Sequence, residues 1–179
     1  MSYCNYCENL EKDNIHSIYH DTSYGFPIHN DNELLGRLIL EINQAGLSWN
    51  TILVKQENFR KAYDNFEVEV IANYSEADRE RLLTDTGIIR NKLKVNAAIH
   101  NAQQILGLQK SHGSFEKWLD AMHPLTKDEW VKLFKKTFKF TGGEITNEFL
   151  MSIGYLKGAH DNECPIYKKI LKLKPKWSQ

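Results

Sequence analysis

The sequence predicts an all-helical fold. Apolar residues recur at three- and four-residue steps through most of the chain, and Ser, Thr, Asn or Asp stands at the start of each such segment. No apolar–polar alternation of the kind a strand needs runs longer than about four residues. Asn30 or Asp31 caps a first helix whose apolar positions are Leu34, Leu35, Leu38, Ile39 and Ile42. Gly46 suits the left-handed position that ends it. Ser48 caps the next helix, with Trp49, Ile52, Leu53, Phe59, Tyr63 and Phe66 at helical spacing. Ser75 and Asp78 begin another, running to Thr84. Gly87-Ile88-Ile89-Arg90 then interrupts, and a longer helix follows with Leu93, Ala97, Ala98, Ala102, Ile105 and Leu106. Ser114 caps a short helix carrying Phe115, Trp118 and Leu119. Thr126-x-x-Glu129 is a capping-box pattern that opens a basic helix. Gly142-Gly143 breaks the chain before a last helix with Ile145, Phe149, Leu150 and Ile153, ended by Gly154. Segments 1–29 and 155–179 lack strong periodicity and need some other anchor.

The 179 residues suit one domain, 1–179, or two lobes sharing a core. Hydrophobic residues make up 41% of the chain, which is globular composition and excludes a disordered or fibrous protein. Lys plus Arg equals Asp plus Glu, 23 each, so a strongly basic coat for non-specific DNA binding is excluded. Local asymmetry remains: Lys132, Lys135, Lys136 and Lys139 cluster, as do Lys168, Lys169, Lys172, Lys174 and Lys176, and acids concentrate at Glu67 to Glu80. No run of about 18 apolar residues predicts a membrane span. No basic segment followed by an apolar one marks a signal peptide, so a cytoplasmic protein is expected. There, Cys4, Cys7 and Cys164 are thiols or metal ligands rather than a disulfide framework.

Three constellations suggest chemistry. In the first, Leu34, Leu38, Glu41 and Ala45 share one helical face, and a carboxylate on an apolar face must be paired, protonated or facing a ligand. Gln44-Ala45-Gly46-Leu47-Ser48-Trp49 follows as a tight turn bearing an exposed apolar residue and an indole. Tyr6, Tyr19, Tyr24 and Trp49 are candidates for a stacking box around Glu41 that suits a flat cationic ring. In the second, Cys4-x-x-Cys7, His20 and His160-x-x-x-Cys164 offer thiolate and imidazole donors that favour tetrahedral zinc. Five candidates compete for four places, and the site would be structural, fastening two termini that lack a core. In the third, the Gly87-to-Arg90 turn can bring backbone N–H groups close to a phosphate, with Lys92 and Lys94 following. His16, His29, His100, His112 and His123 read as surface residues without partners.

These residues together resemble the 3-methyladenine DNA glycosylase I family, monofunctional alkylation-repair enzymes of the helix-hairpin-helix superfamily. The matching stretches are Tyr19-His20-Asp21, Tyr24-Gly25-x-Pro27, Leu40-Glu41-x-x-Gln44-Ala45-Gly46-Leu47-Ser48-Trp49, Gly87-Ile88-Ile89-Arg90, Phe138-Lys139-Phe140-x-Gly142, Phe149 and His160-x-x-x-Cys164. The resemblance implies an all-helical helix-hairpin-helix fold with a zinc site pinning the termini. It implies that Glu41 contacts a base flipped out of alkylated double-stranded DNA. Trp49 and Tyr19 would stack on that base, with Tyr6 and Tyr24 near the pocket wall. Leu47 would fill the vacated place, Gly87, Ile88, Ile89 and Arg90 would hold the phosphate backbone, and Cys4, His20, His160 and Cys164 would hold zinc. The sequence departs from the family's usual Trp at Tyr24 and usual Tyr at His16, and Gly143 to Thr146 replaces a run usually rich in Pro, Thr and Val. The Cys4-to-His20 interval is longer than usual. Cys7 takes the ligand position counted back from His20, Cys4 takes it counted by the aromatic that follows, and Cys4 is preferred.

The activity implied is base excision repair: hydrolysis of the N-glycosidic bond of 3-methyladenine, by a monomeric enzyme that needs no partner subunit. Asn91 through Gln109 contains no Asp or Glu to support water attack, and no Lys is placed as a Schiff-base nucleophile, so lyase activity is not expected. Two other readings compete. One is a non-catalytic zinc-stapled DNA-binding module of the same fold; the other is a binder of small cationic heterocycles.

Overall fold

The computed structural model describes residues 2–179. Among them there are twelve α-helices and no strand. In chain order these are α1 (Tyr3–Glu8), α2 (Ile15–Thr22), α3 (Asp31–Gln44), α4 (Trp49–Val54), α5 (Gln56–Ala62) and α6 (Val68–Ala72). They continue with α7 (Glu76–Thr84), α8 (Lys92–His112), α9 (Phe115–Met122), α10 (Lys127–Thr137), α11 (Gly143–Ser152) and α12 (Pro165–Lys172). None is long and apolar enough to cross a membrane.

The helix starts follow the capping chemistry. Asn30 accepts from the Asn32 and Glu33 amides at the start of α3, satisfying donors that the first turn leaves without partners. Ser75 with Asp78, and Thr126 with Glu129, close reciprocal capping boxes on α7 and α10. Ser114 caps α9 and Asn91 caps α8. Three expectations need correction. The helical spacing from Trp49 to Phe66 predicts one helix, but the backbone leaves helical geometry at Lys55 (φ −95°, ψ 1°) and again at Tyr63. It then turns through Asp64, Asn65 and Phe66, all at positive φ. The apolar side chains keep a common side while the axis changes direction. Second, the helix ended by Gly154 is not the last, since α12 follows. Third, segments 1–29 and 155–179 are not without a core of their own: Cys4, Cys164, Ile166 and Ile170 form a buried cluster, with Phe26, Tyr167 and Trp177 packed on it.

The chain divides into two compact units, one comprising 1–28 and 147–179, the other 29–146. In the central unit, α3 is buried from Leu34 through Asn43 except at Arg37. Gly36 lets the 64–66 turn approach it closely, for a Cβ there would stand 2.4 Å from Phe66 Cδ2. Phe59, Phe66, Phe115, Trp130 and Phe134 are buried in the same unit. In the terminal unit, α1 brings Cys4 and α12 brings Ile166 and Ile170 to the cysteine-containing cluster.

Candidate active site and metal-binding cluster

The capped, core-facing α3 carries Glu41 at its C-terminal end. Glu41 is only 4% exposed, and Leu38 and Ile42 beside it are buried too. A carboxylate so placed loses hydration unless a partner or ligand compensates it. One turn later α3 ends. The Ala45 amide donates to Ile42 O at 3.3 Å and the Leu47 amide to Gln44 O at 2.8 Å, which folds residues 44–47 into a tight turn. Gly46 sits there at φ +79°, a conformation that costs glycine nothing. The Leu47 side chain is 39% exposed, an apolar group held outward. Ser48 accepts from the Thr51 amide and starts α4, so that Trp49, half-buried, is its first residue. Glu41, Leu47 and Trp49 thus belong to one helix–turn–helix segment of the central unit.

The Gly87-to-Arg90 turn lies between α7 and α8 in the same unit. Ile88 is buried, Ile89 is half-buried and Arg90 is exposed. The Gly87 amide donates inward to Asp85 Oδ1 at 2.7 Å. Lys55 Nζ reaches Thr86 O at 3.3 Å and Gly87 O at 3.4 Å, and Asn58 Nδ2 donates to Gly87 O at 3.3 Å. Beyond the turn Lys92 is exposed, but Lys94 is only 5% exposed, so the phosphate-facing pair Lys92 and Lys94 is not what the structure contains.

In the terminal unit, Cys4, His20, His160 and Cys164 are all buried, and their ligand atoms all lie within 4.8 Å of one another. Cys4 Sγ is 3.3 Å from His20 Nε2 and 3.6 Å from His160 Nδ1. Cys164 Sγ is 3.7 Å from each of the same two nitrogens. Metal–sulfur and metal–nitrogen bonds of about 2.3 and 2.0–2.1 Å, tetrahedrally disposed, put sulfur and nitrogen about 3.5 Å apart. The four residues therefore fit a single metal ion. Their outer nitrogens are held as ligating imidazoles require. His20 Nδ1 lies 2.7 Å from Asp21 Oδ1 and His160 Nε2 lies 2.7 Å from Tyr24 O. Burial, with the neighbouring Cys164 thiol and Asp161 carboxylate adding to it, pushes the Cys4 thiol up to about 12, and burial lowers the basicity of His160, so a bound cation is what would favour the thiolates. Cys7 lies outside the cluster, with its Sγ donating to His16 O at 3.7 Å, although it too is buried and its thiol is pushed up by burial.

The tyrosines of the terminal unit gather around one the sequence reading missed. The Tyr3 ring lies 6.2 Å from Tyr6, 6.4 Å from Tyr19 and 5.6 Å from Tyr24. The one-turn spacing of Tyr3 and Tyr6 on α1 was the available signal. Tyr19 and Tyr24 are buried, with rings 5.7 Å apart, whereas Tyr6 is exposed. Tyr24 Oη donates to Glu148 Oε2 at 3.1 Å. His16 is not a surface residue: it is buried, with Nδ1 3.0 Å from Tyr3 Oη. His29 is exposed but not partnerless, since its Nδ1 meets Glu116 Oε1 at 2.6 Å.

Comparison with known proteins shows which family the chain resembles. A family model described as methyladenine glycosylase matches residues 9–132. DNA-3-methyladenine glycosylase 1 of Escherichia coli is 32% identical over 180 positions, covering 90% of this chain and 96% of that one. DNA-3-methyladenine glycosylase of Haemophilus influenzae is 30% identical over 178 positions, covering 89% and 96%. The chain also superposes on a solved 3-methyladenine DNA glycosylase I from Staphylococcus aureus, studied for its recognition of 3-methyladenine. The TM-score is 0.80 at 31% identity, covering 92% of this chain and 97% of that one. A point variant of a 3-methyladenine DNA glycosylase I, solved in complex with 3-methyladenine, gives the same TM-score at 30% identity, with coverage of 93% and 97%.

Proposed function

The chain belongs to the methyladenine glycosylase family, and we propose that it hydrolyses the N-glycosidic bond of 3-methyladenine in alkylated double-stranded DNA, the first step of base excision repair. The observation that carries this reading is Glu41, a carboxylate 4% exposed with Leu38 and Ile42 buried beside it, six residues before an outward-held leucine. A site that must recognise a base carrying positive charge has use for such a group; a bare DNA clamp does not.

Methylation at N3 makes the base cationic. The C1′–N9 bond breaks with its electron pair passing to the base, which departs as neutral 3-methyladenine without a proton from the enzyme. Water adds to C1′ and releases its proton to solvent. The protein's tasks are therefore extrusion and selection rather than general acid catalysis. We assign Glu41 to accept hydrogen bonds from the base and to favour an oxocarbenium-like sugar. Trp49 and Tyr19 are assigned to stacking, Tyr6 and Tyr24 to the pocket wall, and Leu47 to the gap in the DNA stack. Gly87, Ile88, Ile89 and Arg90 form the hairpin of a helix-hairpin-helix element that holds the phosphate backbone. We read residues 1–179 as one glycosylase domain, acting as a cytoplasmic monomer. The Cys4, His20, His160 and Cys164 group supports a zinc assignment, because two thiols and two imidazoles complete a tetrahedral shell. Zinc there would supply a crosslink between the N- and C-terminal segments and no catalysis.

Release of free 3-methyladenine from methylated duplex DNA tests the reading. The wild-type protein should release it, and Glu41→Gln should lower the single-turnover rate on the order of 100-fold, the scale of losing a preorganised electrostatic contact. Absence of release by the wild type, with DNA bound normally, sinks the enzyme reading. Monofunctionality is checked separately by the absence of a borohydride-trappable adduct on abasic DNA.

A further inference from the structure

Lys94 is a buried cation for which the reaction just described has no use. It stands on the first turn of α8 and is 5% exposed. Its Nζ donates to Asn43 O at 2.9 Å and to Ala45 O at 2.7 Å. Those are carbonyls at the C-terminal end of α3, where the helix leaves acceptors without intrahelical donors and presents the negative end of its dipole. A lysine on the surface could have served DNA as a phosphate ligand. This one is turned inward, and its burial, which lowers its basicity, is a cost that a plain helix end, open to water, does not require.

The bonds around Lys94 close a ring. Its own amide and that of Leu93 donate to Asn91 Oδ1 at 3.1 and 3.0 Å, fixing the start of α8 directly after the Gly87-to-Arg90 turn. That turn is tied through Lys55 and Asn58 to the α4–α5 junction. The first residue of α4 follows Ser48, and the Ala45-to-Ser48 turn leads back to the carbonyls that Lys94 holds. The turn assigned to the phosphate backbone and the turn assigned to the DNA stack are thus joined through one ammonium group.

We propose that Lys94 is a positioning residue that fixes the Ala45-to-Ser48 turn against the Gly87-to-Arg90 turn, so that Leu47 stands ready to enter the stack when the phosphate backbone is gripped. The inference rests on the glycosylase reading. It separates two capacities of the protein. Glu41 is anchored upstream on α3 by buried Leu38 and Ile42 and does not need Lys94 to hold its place. Leu47 does.

The test is Lys94→Met, which keeps the stem and removes the donors. Single-turnover release of 3-methyladenine from methylated duplex should fall roughly 10- to 100-fold, as expected when a reacting group is misplaced by about 1 Å. Binding of free 3-methyladenine, followed by tryptophan fluorescence, should fall far less, because Glu41 keeps its place on α3 and Ser48 still caps the α4 start that carries Trp49. Amide exchange at Gly46 and Leu47 should quicken. Lys94→Arg, which keeps several donors, should restore most of the release. Wild-type release by Lys94→Met overturns the proposal, and so does a parallel loss of free-base binding, which would mark Lys94 as general scaffolding. Should the wild-type protein release no base, the glycosylase reading falls. The exchange comparison at Gly46 and Leu47 then still decides whether Lys94 fixes the turn.

Discussion

The two compact units hold themselves together by different means. Of the seven fully buried aromatic side chains among the described residues, six lie in the central unit, residues 29–146, and one, Phe149, lies in the terminal unit. Beyond Phe149, the terminal unit offers the aliphatic Leu150, Ile153, Ile166 and Ile170, the last two beside two thiols, with two imidazoles near them. Apolar burial stabilises at about 25 cal/mol per Å², so a unit with few large apolar side chains needs another source of cohesion. A metal ion held by the four buried donors would supply it in one step. One chain therefore combines a core rich in buried aromatics with a buried donor group able to hold a metal ion, and each unit has its own weak point.

The largest expected effect breaks the terminal unit. Cys164→Ser, or a strong chelator, should release one metal ion per chain. Amide exchange in α2 and α12 should then rise sharply while α8 stays protected. Structural zinc contributes about 10–16 kcal/mol in isolated fingers, far more than this unit's apolar cluster can replace. Elemental analysis with exchange mass spectrometry reads both quantities. Cys7→Ser should keep its metal. Retained protection of α2 and α12 in metal-free protein would mean that the apolar cluster suffices and that the contrast between the units is false.

The converse perturbation acts on the central unit. Phe134 is fully buried, with its ring 5.1 Å from Phe138 and 6.0 Å from Trp130. Phe134→Ala should cost about 3–5 kcal/mol by denaturant titration, with metal content unchanged. Gly36→Ala should cost about 1–3 kcal/mol through overpacking, because the new Cβ meets the Phe66 ring. Loss of metal in either variant would show that the units do not fail independently.

The same contrast explains what the sequence made legible. The central unit's longer helices announce themselves through periodicity and caps, Asn30 before α3, Ser75 with Asp78, and Thr126 with Glu129, and even the eight-residue α9 shows through its cap at Ser114. Helices of five to eight residues, such as α1, α6 and α12, are too short for a 3.6-residue period to stand out. The break at Lys55 escapes for another reason: the apolar side chains continue in phase across it. Donor types and ordered motifs pick out the four metal-cluster residues. They do not separate Cys4 from Cys7, which stand one turn apart on α1 and are both buried. Only the direction of each side chain distinguishes them. Lys94 is illegible for the same reason, since its spacing from Arg90 and Lys92 reads as a basic run and the sequence carries no sign that it turns inward.

The smaller effects concern the start of α3, the helix that carries Glu41. Asn30→Ala removes the side-chain oxygen that accepts from the Asn32 and Glu33 amides and should cost about 1 kcal/mol. Glu33 adds a pH dependence. Arg60 donates to both of its carboxylate oxygens at 2.9 Å, and that hydrogen bonding holds the carboxyl below its ordinary value. An unfolded Glu33 protonates near about pH 4.3, whereas the folded one does so only at lower pH. The unfolded chain therefore binds the extra proton first. The contribution is fully present above about pH 4.3 and is lost as the pH falls through the folded value. Glu33 is 45% exposed, so screening keeps the effect below about 1 kcal/mol. Glu33→Gln should flatten that part of the acid-unfolding curve and leave metal release where it is in the wild type. A shift in metal release would mean that the acid limb of the central unit and the coordination chemistry of the terminal one are a single transition, and the two-part description of the chain would have to go.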